Sequence, residues 1–239
     1  MKNLKYFASK FFVEFNFIKM NKTILRTFFT PITAVIISLL LFKLPLGLGY
    51  FATILAACVV MVASAIEFRK EMFKFLGFQR KGLKIKNLLI VAPVVSGGLF
   101  LLYYFILIPT VGSVTGQEID FSDLQSLRGN LFATLSVLPF IWLSAAFGEE
   151  IVWRGYFMRQ FAKFFGNSRL SLVLNILILG AFFGFFHAYQ GITGQIITGI
   201  IGMFLAIVFY IRKYDLWFNI AIHGFFDTIA LVLLYKGWI

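Results

Sequence analysis

Apolar runs of roughly 20 residues, the length that carries a helix across a ~30 Å hydrocarbon core, recur from residue 27 to the end of the chain. Seven can be placed, at about 27–46, 48–66, 88–109, 130–147, 171–188, 192–211 and 216–235. Runs this long with so little charge predict an all-α, polytopic helical membrane protein. The first run is the weakest of the seven, since Pro31 falls within it and Lys43 near its end. Ahead of it, residues 1–26 form a basic arm with Leu4, Phe7, Ala8, Phe11, Phe12, Phe15 and Ile18 at helical spacing and lysines between them. That pattern predicts an amphipathic helix lying on the membrane surface, where basic residues meet anionic lipid. The stretch 67–86 between the second and third runs reads in the same way. No small-residue cleavage site follows the first run, so a cleaved signal peptide is not expected.

Composition agrees. Of 239 residues, 60% are hydrophobic and only 13% charged, and mean hydropathy is +0.90, well beyond the apolar share of a soluble domain. The net charge of +12 would suit a nucleic-acid partner in a soluble protein, but in a membrane protein it reports orientation. With the N-terminus cytoplasmic and the runs alternating, 19 of the 22 Lys and Arg fall on the inner side, leaving Lys43, Arg128 and Lys236 outside. The basic balance is therefore read as topology, with the bilayer as partner and no nucleic acid. The lone Cys58 lies inside the second run, which excludes a disulfide framework and a cysteine-rich metal site.

The informative residues are the ionisable ones that the apolar background makes expensive. From residue 130 onward the acidic residues are Glu149, Glu150, Asp215 and Asp227, and the only histidines of the chain are His187 and His223. Ionisable groups in membrane-embedded helices cost several kcal/mol unless paired or hydrated, so they are functional candidates by default. In "GEEIVWRG", Glu150 and Arg154 stand at i and i+4, the favourable order for a helical ion pair, while Glu149 projects about 100° away. In "FFGFFH", Phe183 and His187 are four apart, so a ring can pack beside the imidazole. In "HGFFD", His223 and Asp227 share a helical face. Each pattern has a plainer reading. The Glu–Arg pair could be a solvated salt bridge, a membrane histidine an interhelical hydrogen-bonding residue, and Asp215, beside Arg212 and Lys213, an interfacial charge. The joint occurrence of three pairs on three helices favours a shared chemistry.

These residues resemble, in order, the three motifs of the CAAX protease and bacteriocin-processing (Abi) family of intramembrane proteases. "EEIVWRG" (Glu149, Glu150, Arg154, Gly155) matches EExxxR, "FGFFH" (Phe183, His187) matches FxxxH, and "LWFNIAIHGFFD" (Leu216, Trp217, His223, Asp227) matches HxxxN or HxxxD. The likeness covers roughly residues 130–230. It implies residues 130–235 as a protease core with an intramembrane catalytic cavity, 27–129 as N-terminal membrane helices and 1–26 as the basic arm. It further implies an endopeptidase acting on a membrane-associated protein or peptide. In that chemistry Glu149 is the general base on a water, His187 helps to hold the water, and His223 with residue 227 stabilises the oxyanion. Glu150 pairs with Arg154 and orients its helix. A carboxylate in a partly dehydrated cavity is a better base at neutral pH, and donors aimed at an oxyanion are worth several kcal/mol in a low-dielectric site.

Residue 227 is Asp where the family commonly has Asn. An ionised Asp cannot donate to an oxyanion, so Asp227 is protonated, or orients His223, or ligates a metal. Glu149, His187, His223 and Asp227 have the ligand types of a catalytic zinc site without the HExxH spacing. Zinc and metal-free chemistry both stay open, with the latter preferred. Geometry sets one further condition. A helix ending at 147, followed by a cytoplasmic loop at 164–170, would separate Glu149 from His187 by roughly 24 Å. To share a water, the Glu149 helix must dip into the membrane unbroken to about residue 163, or the next helix must be displaced inward, with Gly180, Gly184, Gly199 and Gly202 permitting close approach. Two other functions use the same residues: a non-catalytic immunity or scaffold protein of the same fold, and a proton-coupled transporter. The expected location is a bacterial plasma membrane.

Overall fold

A computed structural model of the chain describes residues 22–43 and 48–239. The basic arm at 1–26 thus lies outside the described residues except for its last five positions. The described part is helical, with α1 (Lys22–Lys43), α2 (Tyr50–Phe68), the short α3 (Met72–Leu76), α4 (Asn87–Thr115), α5 (Leu131–Phe165), α6 (Arg169–Phe185), α7 (Gly191–Ile211) and α8 (Leu216–Lys236). Among the described residues six helices are long and apolar enough to cross a membrane, with α2 and α3 counted as one of them. The expected fifth span is the 17-residue α6, short of a full crossing. The all-α, multi-pass architecture is as the apolar runs predict.

The fourth run does not end at 147. It continues without a break through Glu149, Glu150 and Arg154 to Phe165, making α5 a 35-residue helix. Its middle, Trp142–Met158, is wound with i→i+5 hydrogen bonds, a rare geometry that concentrates at functional sites. The charges do not stop the helix because they are neutralised where they lie, as described below. Chain reversal comes at Gly166, whose φ of +79° suits glycine, and Ser168 caps α6 by accepting from the Ser171 N–H. Glu149 is 16 residues before the end of α5, and the end of α6, beside His187, is as far beyond its start. Both lie about 24 Å from the turn, so the unbroken helix meets the geometric condition set by the sequence.

Small residues bring the helices together. Ala34 and Ser38 of α1 and Ala56, Ala57, Val60 and Ala63 of α2 are buried. Gly148 of α5 faces α2 so closely that an added Cβ would lie 3.0 Å from the Thr53 methyl. At the α6–α7 crossing, a Cβ at Gly184 would stand 2.3 Å from the Gln195 carbonyl oxygen, and one at Gly180 equally near the Met203 side chain. Without a hydrophobic drive between helices in lipid, such close backbone packing supplies much of the association energy. α8 packs against α4, α5 and α7, and the Ser96 hydroxyl of α4 is 2.8 Å from the Ile222 carbonyl of α8.

Two surface expectations are corrected. The stretch 67–86 is not a surface helix: Leu76 is fully buried, Phe78 packs edge-on to Trp217 at 4.9 Å, and the Leu216 N–H donates to the Gly77 carbonyl. Leu76 and Phe78 thus find protein partners in place of lipid, while Phe73, Leu83 and Ile85 stay exposed. Asp215 is a buried helix cap whose carboxylate accepts from the Phe218 N–H, because the first N–H groups of α8 need an acceptor.

Candidate active site

The site is built around Glu150, which is wholly buried. Its Oε1 accepts from Arg154 Nη1 at 2.8 Å and from His223 Nδ1 at 3.0 Å, and its Oε2 accepts from Asn219 Nδ2 at 3.1 Å. Arg154, 2% exposed, spends its second nitrogen on the Gly202 carbonyl at 2.9 Å and lies over the Phe183 ring at 4.6 Å. Buried charge is tolerated only when paired and hydrogen-bonded, and here each charged group has several partners. The carbonyl of Gly202 is reachable because the residue lacks a side chain: a Cβ there would stand 2.9 Å from the Phe183 ring.

Arg154 and Glu150 come from α5, His223 and Asn219 from α8, and the Gly202 carbonyl from α7. His223 faces a carboxylate at each ring nitrogen, with Nε2 3.5 Å from Asp227 Oδ2. The next residue in the chain, Gly224, is fixed by packing, since a Cβ would lie 2.5 Å from the Trp142 indole. Phe183 links the second histidine to the group. His187 packs with its ring tilted 4.8 Å from the Phe183 ring, and His223 meets the same ring edge-on at 6.4 Å. His187 Nδ1 is 2.7 Å from the Phe183 carbonyl. That carbonyl can only accept, so the proton sits on Nδ1 and Nε2 carries the lone pair.

Glu149 differs from its neighbour. It is half-buried, its Oε2 is shielded and has no protein donor, and it lies within electrostatic reach of His223, Asp227 and Arg154. The sequence motifs thus converge. Glu150, Arg154, His223 and Asp227 are joined by direct contacts, His187 joins through Phe183, and Glu149 flanks them on α5. A metal does not fit this arrangement. Among the described residues no three His, Cys, Asp or Glu side chains are disposed to hold one. Glu149, His187, His223 and Asp227 do not make up such a group. What the arrangement offers is a carboxylate free to accept a proton within electrostatic reach of the His223 imidazole.

Sequence reasoning missed Asn219, although it stands in the quoted "LWFNIAIHGFFD". Its only signal was an amide one helical turn before His223 in an apolar span. Glu67 was missed as well. This buried carboxylate at the end of α2 accepts from Tyr156, Gln160 and Lys163 of α5, partners about ninety residues away in sequence that no local pattern could indicate.

Comparison with known proteins agrees with the geometry. Residues 129–229 match the family model described as type II CAAX prenyl endopeptidase Rce1-like. Neither curated proteins nor solved structures gave a match to the chain. The matched segment runs from the loop before α5 into α8 and contains all three motifs, so residues 129–229 are similar to the Rce1-like endopeptidases, consistent with the resemblance to the CAAX protease and bacteriocin-processing family.

Proposed function

We propose that the chain is an intramembrane endopeptidase that cleaves a membrane-associated protein or peptide by attack of an activated water. The observation that carries this reading is the contrast between adjacent carboxylates. Glu150 is saturated by three donors, whereas Glu149 keeps a shielded oxygen with no protein donor in the same layer. A scaffold has no need of a carboxylate held beside others yet left free, and the peptide-cleavage test below separates the protease from a proton-coupled transporter.

In this reading Glu149 takes the proton of the attacking water and later delivers it to the leaving amine. His187, with its lone pair on Nε2, accepts a hydrogen bond from the water and holds it. His223, held at Nδ1 by Glu150, turns its Nε2 N–H to the oxyanion, with the Asp227 carboxylate 3.5 Å from that nitrogen keeping it protonated. Glu150 and Arg154 fix α5 against α7 and α8. The distribution of basic residues supports a cytoplasmic N-terminus, and the membrane proposed is a bacterial plasma membrane. A reporter fused after Ser122 is expected to read as external and one after Lys213 as cytoplasmic, and an external reading at Lys213 overturns that orientation.

The test of the function is comparative peptidomics of membranes and medium from cells with the wild-type protein and with Glu149→Gln. Peptides present only with the wild type support the protease, and identical peptidomes together with solute uptake by purified protein in liposomes support the transporter. Asp227→Asn restores the commoner family residue and still offers an oxygen to His223. It is expected to keep cleavage within about tenfold, with metal content by elemental analysis unchanged. Joint loss of metal and turnover would restore the zinc reading, since an amide is a poorer ligand than a carboxylate.

A further inference from the structure

We infer that Asn219 is a positioning residue of the active site, acting through Glu150 on His223. The inference rests on the protease reading only for its effect on turnover. Asn219 is fully buried on α8, one turn before His223. Its Nδ2 donates one proton to Glu150 Oε2 at 3.1 Å and the other to the Leu205 carbonyl at 2.8 Å. Both partners are acceptors, which settles the amide orientation. Its Oδ1 is buried without a partner.

That unpaired oxygen is informative. A buried polar atom without a partner is destabilising, and an apolar side chain of the same shape would remove the penalty. The amide therefore carries a cost that its donor must offset, and the donor serves the one oxygen of Glu150 that neither Arg154 nor His223 reaches. Asn219 and His223 thus grip the two oxygens of Glu150 from a single helical face. A carboxylate held at one oxygen can swing about that contact; held at both, its plane is fixed. With the plane of Glu150 fixed, the bond to His223 Nδ1 has one direction, and Nε2 keeps its aim at Asp227 and the cavity.

Removing the donor leaves Oε2 buried and unpaired, frees Glu150 to rotate and loosens His223, while leaving Glu149 and His187 untouched. Asn219→Leu is expected to lower kcat by about 10- to 100-fold, the loss expected for one hydrogen bond to a buried charge, with KM nearly unchanged. In a Glu150→Gln background the same substitution should add little, because its effect runs through that carboxylate. Asn219→Asp places a second carboxylate against Glu150 and should be worse than Leu, whereas a purely steric role would favour the isostere.

The chain has only two histidines, which permits a readout independent of cleavage. Ring-nitrogen spectra of the detergent-solubilised full chain, labelled at histidine, should show the His223 signals shifted by Asn219→Leu and the His187 signals unmoved. Turnover is followed with an internally quenched farnesylated peptide ending in a Cys-aliphatic-aliphatic-X sequence. Unmoved His223 signals overturn the positioning role whether or not that peptide is cut. Shifted signals in a protein that cuts no peptide would sustain the role and count against the protease reading. Where Asn219→Leu fails to fold, Asn219→Ser, which keeps a shorter donor, provides the same two readouts.

Discussion

Two buried carboxylate centres sit on α5, and they differ in completeness. At the end nearer the α5–α6 turn, Glu67 of α2 receives Tyr156, Gln160 through both oxygens, and Lys163, which also binds the Thr27 carbonyl of α1. Both oxygens of Glu67 are partnered, and its donors stand at i, i+4 and i+7 on one face of the helix. Further along, Glu150 is equally saturated, but Glu149 beside it is not. A satisfied network fixes helices; an unsatisfied member beside a satisfied one is where chemistry can occur. The comparison separates what the same residue type does when its lone pairs are spent from what it does when one is kept free.

The sharpest way to break the comparison is to exchange the free carboxylate for an amide. Glu149→Gln keeps shape and removes the base, so cleavage should fall by about 10²- to 10⁴-fold, with expression and thermal unfolding close to wild type. Activity within about threefold of wild type would remove Glu149 from the base role. Glu150→Gln reverses the balance. It leaves Arg154 buried with its main counter-charge gone, at a cost of about 3–5 kcal/mol, read as a lower unfolding midpoint in detergent and reduced expression. If that variant is as stable as wild type, the hub role assigned to Glu150 is wrong.

How much of this could be read in the sequence differs between the two centres. The pairing of Glu150 with Arg154 and of Phe183 with His187 follows from i,i+4 spacing alone, and both pairs form. The number and type of apolar segments were legible for the same reason, since length and hydropathy set them locally. The continuity of α5 was not. Three charges at 149–154 resemble the end of a membrane span until their partners on α7 and α8 are known. The docking of Leu76 and Phe78 against the α7–α8 turn was hidden in the same way, because apolar residues between lysines suit a lipid surface equally well. Asn219 and Glu67 share that limit: each becomes meaningful only through a partner more than sixty residues away.

The smallest effect belongs to the complete centre and sharpens the comparison from the other side. Glu67→Gln keeps an acceptor for Tyr156 and the shape of the side chain, but removes the charge from Lys163, which is partly exposed and can turn to water. The expected loss is about 1–3 kcal/mol of stability, with turnover within about threefold of wild type. Tyr156→Phe removes a single donor to the same carboxylate and should cost about 1 kcal/mol. Combined with Glu67→Gln it should cost less than the sum, since both act on one contact. The two variants are compared by unfolding midpoint and by turnover in the same detergent. Should either one lower turnover as far as Glu149→Gln does, satisfaction of hydrogen bonds would cease to distinguish the two carboxylates, and the reading of Glu149 as the reactive group would have to rest on its neighbours His187 and His223 alone.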